Sequence, residues 1–405
     1  MRAYERFLDY VKIHTTSDES TGTHPSFAGE FDLAKMLRDG LTALGVQDVR
    51  MDEHAYVYGM LPATPGYEKV APLAFIAHMD TSPDASGKDV KPQLHSDYDG
   101  GEVAYPATGA VMSPKDFPFL KELKGETLIT SDGTTLLGAD DKAGVAEIMT
   151  AFETIINENR PHGELWVAFT PDEEIGEGTD CFDLEHFGAK YAYTVDGGDV
   201  NCLEYENFNA ASANITITGF SVHPGDAKDK MINALNVAAE LHSMLPEAER
   251  PEHTEGREGF YHLTGMSGHV ADAKMSYIIR DHDMERFEAR KANITRIAEE
   301  LNAKYGAGTV NLDLRDSYYN MLEKIKPHMH LVDNADRAIR KAGLTPVVVP
   351  VRGGTDGARL SYDGIPCPNL GTGGFNYHGN FECVTAERMD KAVEVILNIV
   401  EGTLG

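Results

Sequence analysis

Three consecutive acidic residues close an apolar run in the segment TPDEEIGEG at 170–178. They are Asp172, Glu173 and Glu174. Like charges this close repel one another, so they either stand in solvent at a surface turn or face a cation. A bound cation is not part of the polypeptide, so the sequence does not show it directly. Other segments of the chain therefore decide between the two interpretations.

Histidine and aspartate follow further apolar runs in the same half of the chain. They are His78 and Asp80 in AHMDTSP, Asp140 in LLGADDKAG and Asp196 in VDGG. Imidazole and carboxylate together suit zinc. An aspartate can also bridge two such ions, which in two-metal sites lie about 3.5–4 Å apart. The acids of several segments therefore predict a two-metal site.

Spacing within two of the segments indicates which side chains bind metal and which have other roles. His78 and Asp80 are two residues apart on a strand and share a face, so Asp80 is expected to orient the imidazole. Adjacent Glu173 and Glu174 point opposite ways on an extended chain. Only one of them is then expected to be a metal ligand, which leaves the other for proton transfer.

Alternating strands and helices are predicted to position these residues. Apolar runs at 70–80, 164–174 and 190–198 indicate buried strands, and 141–160 carries apolar residues at helical spacing. This alternation predicts an α/β fold with a mostly parallel sheet covered on both faces. Ligands of such sheets bind outside the carboxyl ends of the strands. The histidine and the acids are thus expected at one edge of the sheet.

A different pattern fills the segment 208–318, where strands and helices follow in the order β-α-β-β-α-β. That order predicts a ferredoxin-like α+β domain inserted into the first one. The catalytic domain is then discontinuous and comprises 1–207 and 319–405. Within its second part, PVVVPV at 346–351 indicates a return to buried strands. A capped helix is predicted for the last apolar-periodic segment, 385–402.

The composition excludes several classes of function. The 405 residues are too many for one ordinary core, and 36 Lys and Arg against 65 Asp and Glu give a net charge of −29. Such a surface repels nucleic acid and anionic membranes. Four cysteines without CxxC spacing argue against a zinc ribbon or a disulfide framework. With no signal peptide or spanning segment visible, a cytoplasmic location is expected.

Five ordered motifs carry a resemblance to a known family. AHMDTSP, LLGADDKAG, TPDEEIGEG, VDGG and NYHGNFE resemble the dinuclear-zinc peptidase family of carboxypeptidase G and aminoacylase. The resemblance spans the whole chain, including the inserted domain. It is strongest to members that remove the N-terminal residue from tripeptides, and it implies that activity, with a zinc-activated water as the nucleophile.

The resemblance also implies a set of metal ligands. His78 and Asp196 would hold one zinc, Glu174 and His378 the other, and Asp140 would bridge the two. Manganese or cobalt can occupy the same ligands, so the ion in the cell stays open.

Two further roles near the metals follow from the same resemblance. Asp80 would support His78, and Glu173 would be the general base. In the family, the peptide bond between the bridging aspartate and its successor, here Asp140–Asp141, is cis.

The inserted domain supplies the remaining expected site residues. By the same resemblance, His223 in GFSVHPGD polarises the scissile carbonyl and Arg280 in SYIIRDHD holds a substrate carboxylate. Arg352 in RGGTDGA is expected to assist Arg280. The domain is expected to act as a lid, and its likeness to a dimerisation domain allows a homodimer.

Related activities share the same zinc site. The alternatives are a dipeptidase, a carboxypeptidase, an N-acyl-amino-acid deacylase and a catalytically dead metal-binding protein. The last is disfavoured because every expected catalytic position is filled, Glu173 included. The residue preference of the substrate and the group that binds its free amine stay open.

Overall fold

The structure is a computed structural model that describes residues Met1–Gly405. The chain divides into two compact units. The first comprises Met1–Tyr205, Glu323–Val349 and Thr355–Gly405. The second comprises Glu206–Leu322 and Pro350–Gly354. The predicted division at 208 and 318 leaves out the short loop 350–354, which carries Arg352 and belongs to the second unit.

Nine helices follow one another along the chain. They are α1 (Ala3–Tyr10), α2 (Glu30–Leu44), α3 (Ala139–Asn157), α4 (Ala234–Met244), α5 (Met284–Tyr305), α6 (Leu322–Ile325), α7 (His330–Lys341), α8 (Asp356–Tyr362) and α9 (Ala386–Gly402). None of them is both long enough and apolar enough to span a bilayer.

Strands β1 to β10 precede the second unit in the chain. They are β1 (Gln47–Met51), β2 (Val57–Leu61), β3 (Leu73–His78), β4 (Gln93–His95), β5 (Val103–Tyr105), β6 (Ala110–Met112), β7 (Leu128–Thr130), β8 (Leu165–Thr170), β9 (Tyr191–Gly197) and β10 (Cys202–Glu204). The remaining strands are β11 (Asn209–Thr218), β12 (Phe260–Gly268), β13 (Asp272–Asp281), β14 (Val310–Tyr318), β15 (Val347–Val348), β16 (Asn369–Gly371), β17 (Gly374–Phe375) and β18 (Cys383–Thr385).

An eight-stranded sheet forms the centre of the first unit, in the order β1-β2-β8-β3-β9-β16-β10-β15. Its middle strands β8, β3, β9 and β16 are parallel, whereas β1 and β2 run antiparallel at one side and β10 runs antiparallel to β16. The predicted α/β class is confirmed. The sheet is mixed: its centre has the predicted parallel arrangement, and antiparallel pairs lie on either side of it.

Both faces of this centre are covered, which explains why β3 and β8 read as unbroken apolar runs. Helix α3 packs against β3 and β9 and in turn against α1 and α9. On the other face, Trp166 of β8 and Ile76 of β3 belong to a core cluster with Phe182, Phe187 and Leu360 of α8. Every residue of β3 and β8 is buried. The two strands therefore form a rigid base for the residues that follow their carboxyl ends.

The second unit contains a four-stranded antiparallel sheet in the order β12-β13-β11-β14. Along β11 the residues Ala211, Ala213, Ile215 and Ile217 are buried, and the intervening positions face outward. Helices α4 and α5 pack on the buried face. The strand order and the β-α-β-β-α-β sequence are those of the predicted ferredoxin-like domain.

The predicted burial of one strand of the first unit is wrong. The run PVVVPV forms only the two-residue strand β15, whose Val347 and Val348 are 44% and 45% exposed. The strand lies at the edge of the large sheet and pairs with β10 alone. Prolines lack the N–H that a ladder needs, so Pro346 and Pro350 confine the run to an edge. By contrast, the predicted C-terminal helix is present as α9, and its N-cap Thr385 accepts a hydrogen bond from the Arg388 N–H.

Candidate metal centre

The carboxyl ends of the central strands bring the predicted residues of the first unit together. His78 is the last residue of β3, and Asp196 lies one residue before the end of β9. Glu173 and Glu174 follow β8, and Asp140 lies at the start of α3. His378 comes from the loop between β17 and β18. Ends of parallel strands meet at one edge of a sheet, which is why the residues at the ends of β3, β8 and β9 converge here. Asp140 and His378 instead come from segments next to β7, β17 and β18, which belong to a separate four-stranded sheet.

Asp140 lies between two imidazoles. Its Oδ1 is 2.9 Å from Nε2 of His78, and its Oδ2 is 3.2 Å from Nε2 of His378. Burial alone raises the pKa of Asp140, but the hydrogen bonds with His378 and His78 outweigh it and hold that pKa well below its usual range. The peptide bond that links Asp140 to Asp141 is cis, as predicted.

His78 is almost fully buried, and both ring nitrogens face carboxylates. Nε2 lies 3.4 Å from Oδ1 of Asp196, in addition to its contact with Asp140. Nδ1 lies 3.2 Å from Oδ1 of Asp80. Burial lowers the pKa of His78, yet Asp196, Asp140 and Asp80 together raise it well above its usual value. Nε2 of the ring thus faces Asp140 and Asp196, two of the expected metal ligands. Nδ1 faces Asp80, the expected supporting acid.

His378 pairs with the second predicted ligand set. Its Nε2 lies 2.9 Å from Oε2 of Glu174, and its Nδ1 lies 3.5 Å from Oδ2 of Asp84. Hydrogen bonds with Asp140 and Glu174 raise the pKa of His378 to about 11. The other Glu174 oxygen, Oε1, is buried without a hydrogen-bond partner. Buried polar atoms normally have a hydrogen-bond partner. A buried carboxylate oxygen without a donor is therefore typical of an atom that binds a cation.

The donor set fits divalent cations such as zinc. Donor atoms of His78, Asp140 and Glu174 lie within 4.8 Å of one another, and so do those of His78, Asp141 and Asp196. Burial and, to a lesser extent, the carboxylate of Asp140 raise the pKa of Glu174 to about 7, although His378 and His78 act in the opposite direction. Burial likewise raises the pKa of Asp196 well above its ordinary range. Acids packed this closely repel one another, and dications would add to the counter-charge that His78 and His378 supply.

Glu173 and Glu174 do not lie on an extended chain, so that part of the prediction is wrong. They begin a short 3-10 turn, Glu173–Ile175, which follows Asp172 in the left-handed region at φ 56°. The turn forms because the Asp172 carboxylate is tied into the fold. It accepts the N–H of Ser26 at 3.0 and 2.8 Å and lies 3.0 Å from Nδ1 of His24. Any difference in the directions of the two glutamate side chains therefore comes from the turn and not from the alternation of side chains along a strand.

Asp80 anchors the same turn. Its Oδ1 accepts the N–H of Glu173 at 3.0 Å, and its Oδ2 accepts the N–H of Glu174 at 3.1 Å. Glu173 itself is half-buried. Burial raises the pKa of Glu173 well above its ordinary value, and the Asp196 carboxylate raises it further while His78 lowers it. The Glu173 carboxylate therefore interacts electrostatically with Asp196 and His78, two of the expected metal ligands.

Several supporting residues were not predicted. Asp141 accepts the backbone N–H of His78 at 3.2 Å, and Asn369 Oδ1 accepts the N–H of Asp196 at 3.1 Å. Glu382 accepts the N–H of Asp140 at 2.9 Å. Asp141 and Glu382 lie inside the motifs LLGADDKAG and NYHGNFE, next to expected ligands, and this position in the sequence could have indicated a supporting role. Asn369 lies outside all five motifs, so the sequence gives no such indication for it.

His223 and Arg280 both lie in the second unit. His223 is exposed and caps the short turn Pro224–Asp226, where its Nδ1 accepts the N–H of Gly225 at 3.1 Å. Arg280 is half-buried near the end of β13. It donates through Nη1 to the carbonyls of Ile279 and Ala211 at 3.0 and 3.2 Å.

Arg352 belongs to the loop that joins the second unit. It donates to the carbonyl oxygens of Gly256 and Glu258 at 2.8 and 3.1 Å and to the Thr254 hydroxyl at 3.0 Å. Its guanidinium also lies 5.1 Å from the centre of the Phe208 ring. The guanidinium is therefore committed to holding the segment 254–258.

Comparison with known proteins extends these observations to whole chains. The family model described as a peptidase dimerisation domain matches residues 205–308. A relative from Clostridium novyi named peptidase T is 57% identical over 398 residues, which cover 98% of each chain. Another of that name, from Caldanaerobacter subterraneus, is 55% identical over 402 residues, 99% of this chain and 98% of its own.

Solved structures agree with the sequence relatives. The crystal structure of an aminopeptidase from Bacillus cereus matches with a TM-score of 0.80 at 25% identity and covers 100% of this chain and 98% of that chain. A dinuclear metal-binding peptidase of the M20 family from Bacillus subtilis shares the fold with a TM-score of 0.66 at 16% identity, covering 98% and 96%. The similarity in fold thus includes both units of the chain.

Proposed function

The chain belongs to the peptidase T family and is a peptide hydrolase of the tripeptide aminopeptidase class, and we propose that it cleaves the N-terminal residue from tripeptides with two zinc ions and Glu173 as the general base. The observation that carries the metal assignment is the position of Asp140. Its two carboxylate oxygens face two different histidines, His78 and His378. A carboxylate with one oxygen toward each of two imidazoles is arranged to be shared by two ions.

The remaining ligands divide between the two sides of Asp140. Asp196 lies with His78 on one side, and Glu174 lies with His378 on the other. Divalent cations held by these residues would lower the pKa of a water molecule and polarise the scissile carbonyl.

Glu173 carries the proton in this proposal. Its carboxylate accepts a proton from the attacking water and delivers it to the nitrogen of the leaving dipeptide, so the peptide C–N bond breaks as a neutral amine forms. The carboxylate has to be in its ionised form to begin the step. Cations at the neighbouring ligands favour that form, because they offset the burial and the Asp196 charge that raise the pKa of Glu173.

Asp80 positions both the proposed base and one of the proposed metal ligands. One carboxylate meets the imidazole of His78 and the backbone N–H groups of Glu173 and Glu174. A supporting carboxylate of this kind fixes the orientation of a ligand imidazole. Here it also fixes the turn that carries the base.

The second unit is proposed to select the substrate. His223 would polarise the scissile carbonyl, and Arg280 would hold the C-terminal carboxylate, since a guanidinium can grip a carboxylate with two hydrogen bonds. Arg352 is the weaker choice because its guanidinium already serves the loop 254–258. The match to a peptidase dimerisation domain supports a homodimer as the assembled form.

Substrate comparison tests the proposed function. Zinc-loaded protein should hydrolyse Leu-Gly-Gly much faster than Leu-Gly and should leave an N-acetyl amino acid intact. The released products, leucine and Gly-Gly, establish cleavage at the N-terminal bond. Preference for Leu-Gly would favour a dipeptidase, release of the C-terminal residue a carboxypeptidase, and cleavage of the N-acetyl substrate a deacylase. No hydrolysis of any of them would favour a dead metal-binding protein.

A further inference from the structure

One buried carboxylate outside the predicted site grips the turn that carries the bridging aspartate. Glu382 is 1% exposed. Its Oε2 accepts the N–H groups of Leu137 and Gly138, both at 2.7 Å, and its Oε1 accepts the N–H of Asp140 at 2.9 Å. A carboxylate that accepts three backbone N–H groups makes strong, charge-assisted hydrogen bonds in a fixed geometry.

The turn has a particular need for this acceptor. Helix α3 begins here, and the first N–H groups of a helix have no partner within the helix. The N-cap position is Gly138, at φ 85°, which has no side chain to serve as a cap. The backbone at Asp140 also departs from helical geometry, at φ −84° and ψ 104°. Glu382 therefore supplies from a distant segment the acceptor for the N–H groups of this irregular turn, whereas the regular part of α3 is capped locally by Asp141, which accepts the N–H of Gly144 at 3.2 Å.

The other end of Glu382 belongs to the loop that carries His378. The Glu382 N–H donates to the carbonyl of Gly379 at 3.1 Å, and Nδ2 of Asn376 donates to the carbonyl of Phe381 at 3.2 Å. These two bonds close the loop on itself around His378. The loop and the Asp140 turn are thus joined twice, once by the Glu382 carboxylate and once where His378 meets Asp140.

We propose that Glu382 is a positioning residue that locks the His378 loop to the Asp140 turn, so that these two ligands keep a fixed separation and retain the metal they share. The inference rests on the proposed assignment of Asp140 and His378 as ligands. Without the Glu382 carboxylate, the turn and the loop would lose one of these two links, and movement between them would open the side of the centre formed by His378, Asp140 and Glu174.

The test measures retention of metal by Glu382→Gln. The amide replaces one acceptor oxygen by a donor and cannot accept all three N–H groups. We expect the zinc-loaded variant to release one ion to a chelator about 10–100-fold faster than the wild type, the range seen for residues that support ligands. Loaded with cobalt, the variant should also show an altered visible spectrum. A change in ligand geometry moves that spectrum, whereas a mere loss of stability does not.

Glu387→Gln is the matched control. Glu387 also accepts a backbone N–H, that of Thr127 at 2.6 Å, but neither residue belongs to a ligand segment. The control should keep the wild-type release rate and spectrum. Release from Glu382→Gln at the control rate, with an unchanged spectrum, would overturn the proposal. Should Glu382→Gln fail to fold, Glu382→Asp carries the test, because it keeps the charge but shortens the reach and should still speed release.

Wild-type protein separates this inference from the proposed function. If the wild type binds two ions and cleaves tripeptides while Glu382→Gln behaves as the control does, only the lock is refuted. If the wild type itself binds fewer than two ions, the ligand assignment fails, and the lock fails with it.

Discussion

The carboxylate of Asp80 holds the backbone of Glu173, with Oδ1 accepting the Glu173 N–H at 3.0 Å. The same oxygen lies 3.2 Å from Nδ1 of His78. One buried acid therefore sets the positions of a proposed metal ligand and of the proposed base. The separation of these two residues therefore depends on a single side chain.

Asp140→Ala should cost the protein both metal ions. Asp140 meets His78 with one oxygen and His378 with the other, so its removal takes a ligand from each ion. Elemental analysis after gel filtration should fall from two ions per chain to less than one. Asp132→Ala, in the segment that leads to α3, is the control and should keep both. One tightly held zinc together with normal activity in Asp140→Ala would refute the bridging role.

Glu173→Ala should keep both ions and the fold but lose turnover. Only proton transfer depends on its carboxylate in the proposed mechanism, and general bases contribute about 10²–10⁴-fold. The measurement is kcat on Leu-Gly-Gly, with metal content determined on the same sample. Glu177→Gln alters an acid of the same segment whose side chain is 42% exposed, and it should stay within a few-fold of the wild type. Activity within a few-fold in Glu173→Ala would place the base elsewhere.

Prediction from sequence succeeded where the signal was local. The apolar runs of β3, β8 and β9 stop at His78, at the acids after Thr170 and at Asp196, and strand direction alone brings these ends to one edge. The inserted domain was recognisable for the same reason. Its alternation in β11 and the order of its elements need no knowledge of distant contacts.

Features set by distant partners could not be predicted. Glu382 accepts the N–H of Asp140 across 242 residues, and although both residues lie in motifs that contain proposed ligands, neither motif records that the two are paired. The turn at Glu173 depends on Asp172 being held by Ser26, at a separation of 146 residues. The exposure of Val347 follows from its place at the sheet edge, which only the complete strand order reveals. Each failure concerns a tertiary contact that overrides a local preference.

Arg280→Ala should weaken hydrolysis of a tripeptide much more than hydrolysis of the corresponding tripeptide amide. The proposed contact is between guanidinium and C-terminal carboxylate, and the amide has no carboxylate to lose. The comparison requires kcat/KM for both substrates on both proteins. Arg286→Ala, an exposed arginine of α5, should leave the ratio unchanged. An equal drop for acid and amide would mean that Arg280 does not read the terminus, and Arg352 would be tested next.

Glu204→Gln should stabilise the protein increasingly as the pH rises from about 5 to 8. Burial raises the pKa of Glu204 from 4.5 to about 7, so between those values the folded state keeps a proton that the unfolded chain has lost. The contribution of Glu204 to wild-type stability therefore falls with rising pH through this window, by on the order of 3 kcal/mol in all. The glutamine keeps an acceptor for Nδ2 of Asn369, which donates to Glu204 at 2.7 Å, and it does not titrate.

Urea unfolding of both proteins at several pH values measures this difference directly. Contributions that the two share, metal binding included, cancel in the comparison. Glu53→Gln, which alters an exposed acid, controls for the loss of one negative charge. A free-energy difference between Glu204→Gln and wild type that stays constant from pH 5 to 8 would show that Glu204 titrates alike in the folded and unfolded states.

The spread of the proposed ligands along the chain has a consequence for biosynthesis. The first ligand is His78, and the last, His378, comes close to the carboxyl terminus together with Glu382. Chains are made and begin to fold from the amino terminus, at about 5–20 residues per second. A growing chain on the ribosome thus carries an unfinished centre until His378 has been made. Under the proposed ligand assignment, hydrolysis of peptides can begin only after that point, and a product that ends before His378 would lack a ligand of the second ion.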